Sequence, residues 1–442
     1  MSIDDDGVFP ICIESIDQNG RGVGRFSGKT VFVDGAITAE RVLYATVRKR
    51  KSYDDARCHK LETVSPYRQD PRCPHFGVCG GCSMQHMSSP LQVAAKQLMV
   101  EQTLMRIGKV KPLRICTPVY GPDWFYRNRA SLSVRFVEKK GRVVVGFREK
   151  NGRYVTDMGS CCVLADPMVR LLPLLPNLIK SLDSYRSIPV IEVAVGYDLV
   201  ALVFRCLVPL SDKDRDVLLN FSRDHGVQLW VQQEKSLEST FLLDSTDSRP
   251  LFYRLPDFNL DIRFLPYEFT QVNHAMNSVL VRLVMRYMDV CPTDRVLDLF
   301  CGLGNFTLPI ARLGATAVGI EGNDQLVRQA KSNADLNGLG DRAKFFAFDL
   351  YKSSPQEIFD RVGEFNKILL DPPRSGSIEI CQQLPARLPQ RIVYVSCHPA
   401  SMARDAGILV HNHNYVMSDL MVLNMFPHTS HVEVLSVFDL NS

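Results

Sequence analysis

From about Tyr267 onward the chain alternates short apolar runs, RVLDLF, AVGIEG, KFFAFDL, KILLDPP and RIVYVSC, with segments long enough to be helices. That alternation predicts an open, mostly parallel α/β sheet with helices on both faces. Such sheets bind ligands at the carboxyl ends of their strands, so the residues closing each run are the first candidates for a site. The first run closes in Asp298-Leu299-Phe300-Cys301-Gly302-Leu303-Gly304-Asn305-Phe306. Gly302 and Gly304 permit a tight turn and close backbone approach ahead of a helix expected over about residues 305–313. The next run ends in Glu321, 19 residues after Gly302, where a carboxylate can accept from two ribose hydroxyls. The third ends at Asp349, suited to an adenine amine or a neighbouring group.

A glycine turn alone is weak evidence, and a dinucleotide is its usual competitor. The spacing here is not GxGxxG, and no further glycine lets a pyrophosphate approach. DxFxGxG with a later acid resembles the S-adenosylmethionine pocket of class I methyltransferases, which implies a methyl donor at this edge. On the same edge, Val393-Tyr394-Val395-Ser396-Cys397-His398-Pro399 puts Cys397 after a buried strand and before a helix. The helix N-terminus is expected to favour the thiolate. A cysteine beside an apolar strand is more often a packed core thiol. The polar flanks Ser396 and His398 favour a nucleophile instead.

The first 265 residues read as β-rich. Residues 10–61, punctuated by Gly20, Gly22, Gly24 and Gly28, predict short strands and a small barrel. Ser88-Ser89-Pro90 opens a helix expected over Leu91 to Ile107. Ala130, Leu132, Val134 and Phe136 alternate with polar residues as in a half-exposed strand. Asn151-Gly152 predicts a hairpin turn. The most apolar stretch, Ile188 to Phe204, carries Glu192 and Asp198 and reads as a hairpin turning at Gly196 to Asp198, not as a membrane span. The N-terminus MSIDDDGVFP is acidic without a long apolar run, so a cytoplasmic protein without a secretory signal is expected.

Thirteen cysteines in such a chain read as metal ligands, nucleophiles or core thiols rather than disulfides. Cys73-x5-Cys79-x2-Cys82, on a glycine-rich loop, suits zinc, the commoner class, or an iron–sulfur cluster. Either needs a fourth ligand. The net charge of +4 says little, but residues 106–153 hold 13 Lys/Arg against three acids, and Arg48-Lys49-Arg50-Lys51 forms a second basic run. Two such runs point to a polyanion partner.

Several elements together carry a family resemblance. Asp371-Pro372-Pro373-Arg374, the VSCxP around Cys397, the closing Phe426-Pro427-His428-Thr429-Ser430-His431-Val432-Glu433 and the upstream Phe269-Thr270-Gln271-Val272-Asn273 resemble RNA 5-methyluridine methyltransferases of the RumA/TrmA type. The resemblance implies that Cys397 adds to C6 of a target uracil, and that C5 then takes a methyl group from S-adenosylmethionine. It implies that Glu433 removes the C5 proton so that Cys397 can leave. Matched position by position, Gln271, Phe300, Asn305, Glu321, Asp349 and Asp371 fall on the family's donor-binding residues. The chain departs from the pattern at His398, where Asn is usual, and at Asp349, where a close relative has Asn.

The same resemblance turns the cysteine reading toward a 4Fe-4S cluster, since the family's rRNA members carry one at this spacing. The family's CxVL element selects Cys161 in Cys161-Cys162-Val163-Leu164 as fourth ligand, beside Cys73, Cys79 and Cys82, with Cys162 a bystander. The implied architecture is α/β: a TRAM OB-like barrel over residues 1–64, a β-rich central iron–sulfur domain over 65–265, and a class I (Rossmann-like) methyltransferase domain over 266–442. The helix at 90–107 is placed to pack on the last of these. Arg127 and Asn128, in Tyr126-Arg127-Asn128-Arg129, match the family's YRN(K/R) element as RNA contacts. By family comparison the tRNA enzymes lack both barrel and cluster, so large-subunit (23S) rRNA is the expected partner and a monomer the expected state. The competing readings are the same chemistry on tRNA, methylation of an exocyclic amine through the Asp371-Pro-Pro element, and a non-catalytic iron–sulfur RNA-binding protein.

Overall fold

The computed structural model describes residues 7–150, 152–233, 239–243 and 247–441. The N-terminal strands β1 (Val8–Cys12), β2 (Ser15–Ile16), β3 (Gly22–Phe26), β4 (Lys29–Asp34), β5 (Arg41–Lys49) and β6 (Tyr53–Thr63) form one sheet in the order β1-β5-β6-β4-β3-β2. It curls until β3 crosses β1, and the two glycines of β3 make that crossing possible. A Cβ at Gly24 would stand 2.4 Å from the Cys12 carbonyl oxygen, and one at Gly22 would stand 2.8 Å from the Ile13 side chain. Val31, Val33, Val42, Tyr44 and Ala56 fill the interior.

The cysteine loop follows, and then α1 (Ser89–Thr103), with Pro90 in its first turn. The helix ends in a wider turn over Leu104–Gly108, and Gly108 lies where a Cβ would meet the Ala403 carbonyl oxygen at 2.3 Å. After it, β7 (Arg114–Ile115) pairs in parallel with a strand near the C-terminus. α1 and β7 therefore belong spatially to the C-terminal half.

The middle sheet runs β13-β12-β11-β10-β8-β9. Its strands are β8 (Arg129–Val137), β9 (Arg142–Gly146), β10 (Val190–Val195), β11 (Val200–Cys206), β12 (Val227–Gln233) and β13 (Thr240–Leu242). Two short helices, α2 (Asp166–Leu171) and α3 (Leu175–Ser181), lie between β9 and β10. The apolar stretch from Ile188 is the β10–β11 hairpin, closed by Gly196 N–H donating to Leu199 at 2.8 Å. Asn151 lies outside the described residues, but Arg148 and Val155 pair across the turn it was expected to form.

The β-rich reading of this region did not name its helices α2, α3 and α4 (Asp212–His225). α4 is a right-length crossover between the parallel pair β11 and β12. Ser211 caps it by accepting from Asp214 N–H at 3.1 Å, and Gly226 ends it at φ +61°.

The C-terminal sheet follows a hairpin of β14 (Leu251–Leu255) and β15 (Leu260–Phe264) and the helix α5 (His274–Met288). It alternates β16 (Arg295–Leu299), α6 (Thr307–Arg312), β17 (Thr316–Glu321), α7 (Asp324–Leu336), β18 (Ala343–Ala347), α8 (Pro355–Val362), β19 (Lys367–Leu370), α9 (Ile378–Gln382), β20 (Arg391–Ser396), α10 (Pro399–His413), β21 (Tyr415–Leu423) and β22 (Glu433–Leu440). The order is β18-β17-β16-β19-β20-β22-β21-β7, parallel through β20, with β22 antiparallel to both β20 and β21. This is the expected doubly wound sheet, of the Rossmann-like methyltransferase kind, with one reversed strand. Among the described residues no helix is long and apolar enough to cross a membrane.

Candidate active site

The order reverses beside β16, and the crevice outside the strand ends there is where an open α/β sheet takes its ligand. Phe300 leaves β16 at φ +65°, and Gly302 and Gly304 follow at +53° and +90°. Glu321, at the end of β17, faces this turn. One carboxylate oxygen accepts from Gly302 N–H and the other from Asn323 N–H, each at 3.1 Å. Both oxygens keep lone pairs for further donors. Asp298 is fully buried, and Thr307 donates to one of its oxygens while the other has no hydrogen-bond partner. Burial lifts its pKa to about 8.

Two expected donor contacts have other work in the structure. Asn305 forms a reciprocal amide pair with Asn277 at 2.8 and 3.0 Å and accepts from Tyr253 Oη at 2.9 Å, leaving one amide proton. Asp349 accepts from Tyr351 N–H at 3.1 Å and pairs with Lys352 at 3.0 Å, which holds its carboxyl below the usual range. Gln271 sits half-buried two residues before Asn273, whose side chain caps α5 by accepting from Met276 N–H. Replacing Glu321 by alanine should weaken S-adenosylmethionine binding by ~1–3 kcal/mol, the cost of a buried hydrogen-bond set left unmade. Calorimetry showing unchanged affinity would remove Glu321 from the pocket.

Cys397 and Glu433 meet through strand register. Ser396 pairs with Val434 across β20 and β22, so the next residue on one strand lies opposite the previous residue on the other. Asp371 ends the neighbouring strand β19, and its N–H reaches back toward the Leu299 carbonyl. The loop after Asp371 is fixed from below by buried Asp405, which accepts from Ser377 N–H and Tyr394 Oη at 2.7 Å.

Burial, and for two of them a neighbouring acid, raises the pKa values of these groups. Burial, then Asp371, pushes Glu433 well above the carboxylate range, and burial lifts Asp371 to about 7. Burial, then Glu433 and Asp371, lifts Cys397 to about 11, with Arg374 pulling the other way. These surroundings favour the neutral thiol, against the pull toward thiolate expected from the helix N-terminus. Desolvation and two acidic neighbours outweigh the start of α10. His398, the departure from Asn, is exposed and acts as the α10 cap, its ring nitrogen accepting from Ser401 N–H at 3.3 Å.

The cysteine loop lies on the other side of the active-site loop. Cys73, Cys79, Cys82, Cys161 and Cys162 all line one small cavity, with Phe76, Phe147 and Met158 among its apolar walls. Among the described residues no three Cys, His, Asp or Glu side chains already converge as ligands of one ion would. Burial, and then charge on neighbouring cysteines, pushes the Cys82 and Cys161 thiols up to about 12 and about 11. The Val163 and Leu164 backbone N–H groups pull the Cys161 thiol pKa down against burial, and the Cys79 sulfur accepts from Gly81 N–H at 3.4 Å. Cys162 is more exposed, and Cys73 is the one cysteine whose charge acts on it.

A larger cleft of about 660 Å³ separates the barrel, the cysteine loop and the active-site loop. Arg21, Arg127, Arg148, Lys150 and His431 line it. Arg127 lies over the Phe147 ring, 5.8 Å from its centroid. Asn128 is taken up by backbone contacts, its N–H donating to Val272 and its amide to Tyr126. Sequence reasoning passed over Arg374 beside the thiol, and also Gln92 and Lys96 of α1, which reach the loop before Glu433. Gln92 and Lys96 lie on the buried side of α1 with Val93 and Val100, and polar residues there carry no local signal of their partners.

Residues 251–439 match the family model described as tRNA (Uracil-5-)-methyltransferase. Over 431 residues, 97% of this chain and 92% of the relative, it is 47% identical to the 23S rRNA (uracil(1939)-C(5))-methyltransferase RlmD of Bordetella bronchiseptica. The chain belongs to the uracil-C5 RNA methyltransferase family. A second member with the same name, from Acidithiobacillus ferrooxidans, is 48% identical, with 97% of each chain covered. The crystal structure of Pyrococcus abyssi tRNA (uracil-54, C5)-methyltransferase with S-adenosyl-L-homocysteine superposes with a TM-score of 0.72 at 22% identity, covering 97% of this chain and all of that one. That likeness concerns the fold. In this chain Cys397 and Glu433 stand at the same strand-end edge of the sheet as the Gly302–Glu321 turn.

Proposed function

We propose that this protein transfers a methyl group from S-adenosylmethionine to C5 of a uridine in 23S rRNA, the one corresponding to uracil 1939 of its relatives' substrate. The observation that carries the reading is the register that brings Cys397 to Glu433 at the mouth of the Gly302–Glu321 turn. Near-full-length relatives named as 23S rRNA enzymes support the choice of RNA. The protein acts in the cytoplasm as a monomer, on RNA whose target base is unpaired or flipped out.

The bound donor supplies an electrophilic methyl group. Uracil C5 is a poor nucleophile, so Cys397 loses its thiol proton to water and adds as thiolate to C6, which leaves an enolate with its reactive carbon at C5. Gln271, Phe300, Asn305, Glu321, Asp349 and Asp371 hold and aim the donor. The pocket resists carrying two negative charges, because Cys397, Asp371 and Glu433 each raise or are raised by a neighbour. Once sulfur is bound to carbon its charge is gone, so Glu433 can release its own proton to water and then take the C5 proton as carboxylate.

Cys73, Cys79, Cys82 and Cys161 are the residues that would hold a 4Fe-4S cluster, joining the barrel side to the central sheet. An all-sulfur donor set with apolar walls, and a backbone N–H donating to the Cys79 sulfur, supports that reading over oxygen-seeking metals. The burial of Cys161 favours it over the more exposed Cys162. Residues 1–64, read as a TRAM-type barrel, and the Arg21–Arg127–Lys150 cleft form the RNA platform. Anaerobically purified protein should be brown, with about four irons per chain. Cys161→Ala should lose the colour and Cys162→Ala keep it. Stoichiometric zinc without iron would sink the assignment, and the opposite mutant pattern would move it to Cys162.

Incubation of the protein with methyl-labelled donor and unmodified RNAs tests the reaction. Label should appear as 5-methyluridine in 23S rRNA. Label confined to tRNA would replace the substrate, and label on an exocyclic amine would replace the chemistry.

A further inference from the structure

The loop from Asn424 to Val432 joins β21 to β22 and so fixes where Glu433 begins its strand. Its corner is His428, a non-glycine residue held at φ +64°, a backbone conformation that side-chain-bearing residues avoid. Every polar group of that corner's backbone is gripped from the N-terminal half. Gln92 of α1 accepts from His428 N–H at 2.8 Å, and its amide nitrogen lies 3.2 Å from the ring nitrogen Nδ1. Ser83 and Met84 N–H, directly after Cys82, donate to the His428 carbonyl at 2.9 and 3.0 Å. The Trp124 ring stacks on the imidazole at 3.9 Å between centroids. One turn along α1, Lys96 donates to the Asn424 side chain at 2.9 Å and to the Phe426 carbonyl at 3.0 Å.

We propose that Gln92 is a positioning residue for proton removal: with the segment after Cys82, it holds the His428 corner and thereby sets Glu433 against the C5 proton. The inference rests on Glu433 being the base. In the step concerned, the Glu433 carboxylate takes the C5 proton. The C–H electron pair forms the C5–C6 double bond, and the C6–S bond breaks to return Cys397 as thiolate. A loose corner leaves addition and methyl transfer intact, because neither uses Glu433, and slows release alone. The cysteine loop is thus tied to one chemical step through Ser83 and Met84, and not only to RNA binding.

The test is single-turnover kinetics of the full-length protein with 23S rRNA and methyl-labelled donor, read as covalent protein–RNA on denaturing gels. Gln92→Ala should release product about 10- to 100-fold more slowly and accumulate labelled adduct, the cost of a base misplaced by about 1 Å. KM for RNA and for donor should stay within about twofold. Gln92→Glu keeps the oxygen that accepts from His428 N–H and should release faster than Gln92→Ala. Unchanged release, a raised KM with unchanged kcat, or no recovery in Gln92→Glu would overturn the proposal. If Gln92→Ala does not fold, Trp124→Leu, which removes the stacked ring, is held to the same expected and overturning results. Glu433→Gln run alongside separates the two ideas. If it releases at the wild-type rate, the base is misassigned; if it stalls while Gln92→Ala does not, only the positioning role falls.

Discussion

Cys397→Ala protein is expected to bind 23S rRNA and S-adenosylmethionine normally, yet to transfer methyl groups at least roughly 10⁴-fold more slowly, the scale of losing a covalent nucleophile. No other described group takes its place at the end of β20. The protein should form no covalent complex with RNA. The pH behaviour of the wild-type thiol checks the same assignment from another side. Burial and the Glu433 and Asp371 carboxyl groups raise the Cys397 pKa to about 11, so at pH 7 the free protein holds a neutral thiol. A raised thiol pKa leaves less thiolate below it. Iodoacetamide labelling of Cys397, followed by peptide mass spectrometry, should therefore be slow at pH 7 and gain about tenfold per pH unit until pH approaches about 11. Rapid labelling that is flat above pH 7 would mean an activated thiolate in the empty site.

Glu433→Gln should produce the opposite phenotype at the last step. The amide cannot take the C5 proton, but it leaves Cys397 and the donor pocket in place. Addition and methyl transfer should proceed once, and the product should then remain attached to Cys397. The expected signature is a protein–RNA band on a denaturing gel that carries label from the methyl group, with turnover reduced about 10²- to 10⁴-fold. RNA containing 5-fluorouracil should trap the wild-type protein in the same way, because fluorine at C5 cannot be removed as a proton. Turnover at the wild-type rate without a trapped complex would pass the role of base to another group. His428 and His431 are the nearest alternatives in the loop, and burial lowers the pKa of both, which leaves them neutral at pH 7.

Local pattern carried the C-terminal sheet well, because each strand is a short apolar run that ends in a polar or glycine residue at the ligand edge. Glu321 and Cys397 could be placed from spacing alone. Glu433 could not: it opens an apolar strand and looks like any strand residue until β22 is known to reverse against β20. The same reversal hides the surroundings of Cys397, since besides burial the acids that raise its pKa come from the ends of β19 and β22, far apart in sequence. α4 was overlooked although Ser211 and Gly226 mark its ends, because the flanking β11 and β12 dominated the pattern. β7, two residues long, has no pattern to read and is held by its pairing with β21. Gln92 and Lys96 are buried by a loop more than 300 residues away, and no window along α1 contains that loop.

The central claim is tested most directly by mapping 5-methyluridine by mass spectrometry in 23S rRNA and tRNA from cells with and without the gene. The account predicts one 23S rRNA position, equivalent to uracil 1939 of the relatives' substrate, that loses its methyl group without the gene. It predicts that wild-type protein restores the group and Cys397→Ala does not, with tRNA unchanged. An unchanged 23S rRNA pattern, or a loss confined to tRNA, would contradict it.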